Sequence, residues 1–189
     1  MRCEWANHHE LEKEYHDKEW GVPVYDDEKL FELLTLEGAQ AGLSWLTVLK
    51  KRQNYSDLFS SFNIQKVAKY DDNVVKELLE NDGIIRNKLK VKSVILNANC
   101  ILKIQEEFES FSKYIWAFVD YKPIQNTFQT HKDVPAATDI SKTLSKALIK
   151  RGFKFVGPTI CYAFMQAAGL VNDHTTNCFR HKEVKALSY

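Results

Sequence analysis

The chain has 189 residues, with 26 lysines and arginines against 25 aspartates and glutamates, a net charge of +1. That length suits one domain, or two small lobes around a cleft, and the near-zero charge excludes a uniformly basic nucleic-acid protein, leaving only local clusters to draw phosphate. No apolar segment follows Met1 as a secretory signal would, and no apolar run nears the roughly 18 residues that cross a bilayer, so the chain is expected in the cytoplasm and off the membrane.

The periodicity is helical almost throughout. Leu30, Phe31, Leu33, Leu34 and Leu36 form an apolar face behind the acidic turn Asp26-Asp27-Glu28, a placement the helix dipole favours. Leu43 to Leu49, continuing to Leu58-Phe59, predicts a second helix, and Val74, Val75, Leu78 and Leu79 a third, capped by Asp71-Asp72. A long helix is expected from about Asn87 to Phe108, then a short aromatic one over Tyr114 to Val119. Tyr121 to Thr138 holds Pro123 and Pro135 and reads as a loop joining two helical groups. Asp139 to Arg151 and Pro158 to Ala168 give two further helices. No period-two alternation stands out, so the fold class is all-α. The tail Phe179 to Tyr189 carries no motif and is given no role.

Of the four cysteines, Cys100 and Cys161 lie inside apolar helical patterns and read as buried small hydrophobes. Cys3 and Cys178 are left as the unusual pair. His174 and Cys178, four apart, fall on one face if that segment turns helically. The spacing of Cys3 and His16 says little, and His8, His9, His131 and His181 stay open as alternatives. Two thiolates and two imidazoles would make a closed tetrahedral set suited to structural zinc, tying the chain ends together.

Basic residues gather at Lys50-Lys51-Arg52, from Arg86 to Lys92 and from Lys142 to Lys154. The last cluster runs into Lys150-Arg151-Gly152-Phe153-Lys154-Phe155-Val156-Gly157-Pro158. One helix is expected to end at Gly152, a left-handed C-cap. Pro158 opens the next, its fixed φ and missing N–H suiting the first helical turn. Val156-Gly157 between them predicts a tight hairpin with unpaired N–H groups at a helix N-terminus, where phosphate binds without sequence being read. Hairpins of this shape are also common in proteins that bind nothing.

With Tyr15-His16-Asp17-Lys18-Glu19-Trp20-Gly21-Val22-Pro23, Leu36-Glu37-Gly38-Ala39-Gln40-Ala41-Gly42-Leu43-Ser44-Trp45, Gly83-Ile84-Ile85-Arg86-Asn87 and the hairpin segment, the chain resembles the DNA-3-methyladenine glycosylase I family from Cys3 through Cys178. The resemblance implies a helix–hairpin–helix DNA glycosylase fold, a single domain over 1–189 with two helical lobes around a cleft. One lobe would span roughly 1–60 plus 140–189, the other roughly 61–139, with a zinc site joining the termini. By the same carry-over the structural Zn2+ falls on Cys3, His16, His174 and Cys178. Glu37 becomes the catalytic, base-recognising carboxylate, and Trp5, Tyr15, Trp20 and Trp45 the aromatic pocket. Lys154, Val156, Gly157 and Thr159 are placed against the DNA backbone. Members of the wider superfamily that also cleave the backbone carry a lysine two positions after the last hairpin glycine, forming a Schiff base with the sugar. Thr159 stands there, so base release alone is implied. Asp173 lies about where the superfamily places a catalytic aspartate, but it adjoins His174, and orienting that ligand is the role favoured for it.

The chemistry suits those residue types. Adenine methylated at N3 is cationic, so its glycosidic bond is already weak and the base leaves without prior protonation. Selecting it is the harder task. Indole and phenol rings stack on a flat cation better than on a neutral base, by about 0.5–2 kcal/mol per contact. A buried carboxylate accepting from the exocyclic amine rejects bases that present an acceptor there. Flipping the nucleotide costs a few kcal/mol, less where the lesion weakens its stack. The expected activity is monofunctional hydrolysis of the N-glycosidic bond of 3-methyladenine in double-stranded DNA by a monomeric chain. On the residues alone, Glu37 could be an ordinary surface glutamate and Trp45 ordinary core. Two alternatives stay open: a non-catalytic helix–hairpin–helix module that binds DNA and releases no base, and a glycosylase for another base lesion.

Overall fold

The computed structural model describes residues 1–187. A 3-10 turn over Glu4–Asn7 leads into α1 (Glu10–Lys18), which His9 caps by accepting from the Leu11 N–H. Then come α2 (Asp27–Gln40), α3 (Trp45–Leu58), a one-turn α4 (Ile64–Val67) and α5 (Asp72–Glu80). The longest helix is α6 (Lys88–Phe108), followed by α7 (Phe111–Trp116), α8 (Asp139–Lys150), α9 (Pro158–Ala167) and α10 (Phe179–Ala186).

Each early boundary has a local cause. Asp26, Ser44, Asp71 and Asn87 all accept backbone N–H groups of the first turn of their helices, satisfying donors that have no intrahelical partner. The second expected helix therefore starts at Trp45 rather than Leu43, because Ser44 caps it and Gly42, at φ +79°, breaks the chain away from α2. The aromatic helix starts earlier than expected, at Phe111, since Ser110 caps it, and ends in a 3-10 turn over Ala117–Val119.

The all-α expectation needs one amendment. Ile124–Gln125 (β1) pairs in parallel with Val171–Asn172 (β2), inside the stretch expected to be loop. The Ile124 N–H donates to the Leu170 carbonyl at 2.9 Å and the Asn126 N–H to Asn172 at 3.3 Å. Strands of two residues are too short to carry any alternation, and tertiary pairing alone creates them. A 3-10 turn over His131–Asp133, boxed by Thr130, orders the same stretch further.

The core is one cluster of buried side chains drawn from Leu30 through Val171. α2 buries Leu30, Phe31, Leu33, Leu34 and Leu36, each worth roughly 1.5–3 kcal/mol on removal from water. α6 sets Val91, Val94, Ala98, Ile101 and Ile104 against α2, α4, α5 and α7. The Asp27 carboxylate joins these layers by accepting from the Phe111 and Ser112 N–H groups and from Gln105. Residues 21–24 cross the end of α9, with Gly21 N–H on the Gln166 carbonyl and Val24 N–H on that of Ala168. That strap carries the N-terminal aromatics to the hairpin helices. No helix among the described residues is long and apolar enough to cross a membrane.

Candidate active site and metal centre

A cavity of about 270 Å³ opens between α1, α2, the start of α3 and α9. Trp5, Tyr15, Trp20, Glu37 and Trp45, the five residues expected to bind a base, all line it. Trp5 meets Trp20 edge-on with ring centroids 5.2 Å apart, and Tyr15 lies 5.1 Å from Trp45. Glu37 sits one turn before the end of α2 and is only 6 % exposed. It is no surface glutamate. No described residue gives it a hydrogen bond or ion pair, and burial pushes its carboxyl up to about 8. The Tyr15 hydroxyl and the Trp45 indole N–H are also buried without a partner. Burial, with Glu37 adding to it, pushes the Tyr15 hydroxyl well above its usual range. Glu12 Oε2, on the same lining, is buried without a partner as well. Unpaired buried polar groups cost about 1–3 kcal/mol each, and four around one aromatic cavity match a flat ligand with polar edges.

Arg52 on α3 braces this wall. It grips Glu19 with two hydrogen bonds of 2.8 and 2.7 Å, takes Glu32 of α2 at 2.7 Å, and lies 5.9 Å from the Tyr15 ring centre.

Behind Trp5 and Trp20, Cys3, His16, His174 and Cys178 come together, all buried, with their ligand atoms within 4.8 Å of one another. Cys3 Sγ lies 3.6 Å from His174 Nδ1, Cys178 Sγ 3.5 Å from His16 Nε2 and 3.7 Å from His174 Nδ1, and the two ring nitrogens 3.2 Å apart. Tetrahedral zinc bonds put their donor atoms about 3.3–3.8 Å apart, so the four residues fit that ion. The outward ring nitrogens are engaged elsewhere: His16 Nδ1 faces Asp17 Oδ1 at 2.8 Å, and His174 Nε2 faces the Trp20 carbonyl at 2.9 Å. This turns the other nitrogen of each ring, as a lone pair, into the cluster. Between the thiols, the hydrogen bond from Cys3 draws Cys178 below the ordinary thiol range, outweighing the burial that raises it. Cys3 is pushed above that range by the same bond and by burial.

The other histidines are not in the cluster. His181 faces the Asn126 carbonyl at 2.9 Å, and His9 caps α1. The role expected for Asp173 needs correction. Its two oxygens accept from Asn126, Tyr162 and Gln166 at 2.7, 2.5 and 2.8 Å, and none faces His174. The carboxylate that orients a clustered imidazole is Asp17, held in turn by Arg2.

The sequence profile of methyladenine glycosylases matches residues 5–181. The chain belongs to the methyladenine glycosylase family. It is 50 % identical to DNA-3-methyladenine glycosylase 1 of Escherichia coli (strain K12), over 94 % of this chain and 95 % of that one. It is 48 % identical to DNA-3-methyladenine glycosylase of Haemophilus influenzae, over 94 % and 96 %. A crystal structure of a 3-methyladenine DNA glycosylase I variant in complex with 3-methyladenine superposes with a TM-score of 0.91 at 36 % identity, covering 94 % of this chain and 96 % of that one.

In this methyladenine glycosylase the expected hairpin joins α8 to α9. Gly152, at φ +96°, donates to the Ile149 carbonyl at 2.9 Å and Phe153 to that of Leu148 at 3.1 Å, a paired C-terminal stop for α8. Pro158 is the first residue of α9. Among the described residues, nothing accepts the N–H groups of Val156, Gly157 or Thr159. A Cβ added to Gly157, whose φ is an ordinary −63°, would meet nothing within 4 Å. Neither backbone strain nor this chain's own packing asks for glycine there. Lys154 and Thr159 are exposed, whereas the Val156 side chain is buried, so Val156 offers only its backbone outward.

Glu12, Gln40, Val134, Ala163, Gln166 and Thr175 also line the pocket, without a role in the expected site. Gln40 stands three residues after Glu37, and Ala163 and Gln166 three apart on α9. That helical spacing was the available signal.

Proposed function

We infer that this methyladenine glycosylase removes 3-methyladenine from alkylated DNA by hydrolysing its N-glycosidic bond, acting as a monomer on double-stranded DNA. The observation that carries the reading is Glu37, an enclosed carboxyl without a partner, set in a pocket walled by Trp5, Tyr15, Trp20 and Trp45. A module that only binds DNA has no use for an enclosed carboxyl of this kind, whose isolation costs folding free energy.

The flipped base enters between the indoles and Tyr15, whose electron-rich faces favour its positive charge over a neutral base. With the pocket free of ligand, Glu37 holds its proton near neutral pH. The cation offsets the desolvation that raised it, so Glu37 ionises and accepts from the exocyclic amine. Water then bonds to the sugar C1′ as the C1′–N9 bond breaks. The bonding pair passes to the base and cancels its charge, and the surplus proton of the water leaves to solvent. Thr159 offers no amine for a Schiff base, so the backbone stays uncut. Backbone N–H groups at the start of α9, with Lys154 beside them, hold the phosphates of one strand. Asp173, with three donors already on its oxygens, serves to join α9 to residue 126.

Cys3, His16, His174 and Cys178 would hold a zinc ion as a structural crosslink between the chain ends, since four protein donors leave no position for activated water. Four unpaired thiols suit the reducing cytoplasm. The deciding assay is free-base release from DNA methylated in vitro, resolving 3-methyladenine from 7-methylguanine and 3-methylguanine. Release of 3-methyladenine by wild type, and its loss in folded Glu37→Gln, is the expected result. No release by metal-replete protein would overturn the reading.

A further inference from the structure

Phe155 is the strained residue of the hairpin. Its φ of +55° is a left-handed conformation that costs a bulky side chain about 1–3 kcal/mol and persists only where neighbours hold it. Three side chains do so. On the far side, the Val156 carbonyl accepts from Ser145 Oγ at 2.6 Å and Cys161 Sγ at 3.2 Å. On the near side, Asn97 Oδ1 accepts the Lys154 N–H at 2.9 Å while its Nδ2 donates to the Lys154 carbonyl at 3.0 Å. One amide thus closes on both backbone groups of a single residue, 57 positions away in the chain.

Asn97 is an odd choice for its place. It is 5 % exposed and lies mid-way along α6 between the buried Val94 and Ala98. Asparagine favours helix ends over interiors, and a buried amide is tolerable only when satisfied. Both its hydrogen bonds go to the hairpin, and none serves α6. Where it anchors the turn, Phe155 closes against α2 at Gly38, where a Cβ would come within 3.3 Å of the Phe155 Cβ.

We propose that Asn97 is a positioning residue for DNA binding, holding the Lys154–Phe155 backbone so that the Val156 and Gly157 N–H groups face one phosphate. The proposal rests on the hairpin being the DNA grip. Asn97 itself touches neither base nor DNA.

The test compares Asn97→Ala, Gly157→Ala and the double variant. Binding is measured to a short duplex carrying an abasic-site analogue, by fluorescence anisotropy, and to free 3-methyladenine, by tryptophan fluorescence. Gly157→Ala puts a methyl where a phosphate must approach and disturbs nothing in the chain. Each single variant should weaken duplex binding about tenfold, the equivalent of about 1.4 kcal/mol, with free-base affinity unchanged. KM for methylated duplex should rise while kcat at saturating DNA holds. The double variant should lose little more than one single variant, because both act through one turn. Asn97→Asp keeps the acceptor for the Lys154 N–H and loses the donor, so it covers the case in which the alanine variant does not fold, and it too should weaken duplex binding. Wild-type duplex affinity in folded Asn97 variants, a parallel loss of free-base binding, or additive losses would each overturn the role of Asn97. Unchanged duplex binding in Gly157→Ala would overturn the hairpin reading and this proposal with it.

Discussion

Trp20 meets His174 twice: its carbonyl faces the imidazole Nε2 at 2.9 Å, and its indole stands edge-on to the same ring with centroids 4.6 Å apart. The indole also lies stacked 6.1 Å from His16 and edge-on 5.2 Å from Trp5. One wall of the aromatic cavity is therefore built on two of the four clustered metal-type side chains, so a shift in either imidazole should move that wall.

Removing a cluster donor should consequently disturb both stability and base binding. Cys178→Ser is expected to bind less than one zinc per chain by elemental analysis. It should melt lower by at least about 5 °C, since one kcal/mol alone moves a domain of this size about 2–4 °C. Affinity for free 3-methyladenine should fall with the zinc content. Full occupancy in this variant would remove Cys178 from the ligand set, and full base affinity after chelation would break the link through Trp20.

Asp17 should matter to the metal without touching it. It holds the outward nitrogen of His16 at 2.8 Å and is itself fixed by Arg2, whose hydrogen bond holds its carboxyl below the usual carboxylate range. Asp17→Asn is expected to lower zinc affinity about 10–100-fold in chelator competition, with little change in the base release of fully loaded enzyme. Unchanged affinity would mean that packing between Trp5 and Trp20 fixes the ring unaided.

Glu37 gives a pH signature. Its carboxyl is raised from an ordinary 4.5 to about 8 in the folded chain, so between those values the folded state keeps a proton that the unfolded state has lost. Stability of the ligand-free protein should then fall as pH rises from about 4.5 to 8, and flatten above. Glu37→Gln removes that slope and should be the more stable protein at pH 8. Binding of methylated DNA near pH 7 should release a proton from Glu37, read by calorimetry in buffers of different ionisation enthalpy. Parallel stability profiles for the two proteins would place the carboxyl in water.

The same contrast between local and distant causes decides what the sequence alone could show. Asp26, Asp71 and Asn87 announce helix starts because a cap acts within three residues, and Gly152 with Pro158 announces the hairpin for the same reason. α10 leaves no trace in the periodicity because Phe179–Ala186 buries only His181 and Val184 and has no apolar stripe. The five pocket residues were legible through long motifs shared with a family, not through spacing: Tyr15 and Trp45 meet only because Arg52 and the α2 core bring their helices together. For Asp173, adjacency to His174 in sequence does not bring the side chains together, since neighbours along an extended stretch point to opposite sides. Its carboxylate in fact turns toward Tyr162 and Gln166 on α9.

Two glycines with nearly the same φ separate backbone strain from packing. Gly169, at +73°, has Val22 C at 2.4 Å and Pro23 N at 2.5 Å from the place a Cβ would take, all backbone of the strap that follows Trp20. Gly42, at +79°, has nothing within 4 Å. Alanine at Gly42 should cost only the left-handed strain, about 1–2 kcal/mol. Alanine at Gly169 must also push residues 22 and 23 off α9, and with them the hydrogen bonds of Gly21 and Val24 to the Gln166 and Ala168 carbonyls. We expect a loss above about 4 kcal/mol, in the range reserved for clashes without relief, and weaker base binding because Trp20 is anchored next to that strap. Denaturant melts of the two variants provide the measurement. Equal losses would show that φ alone sets the cost and that the strap yields freely.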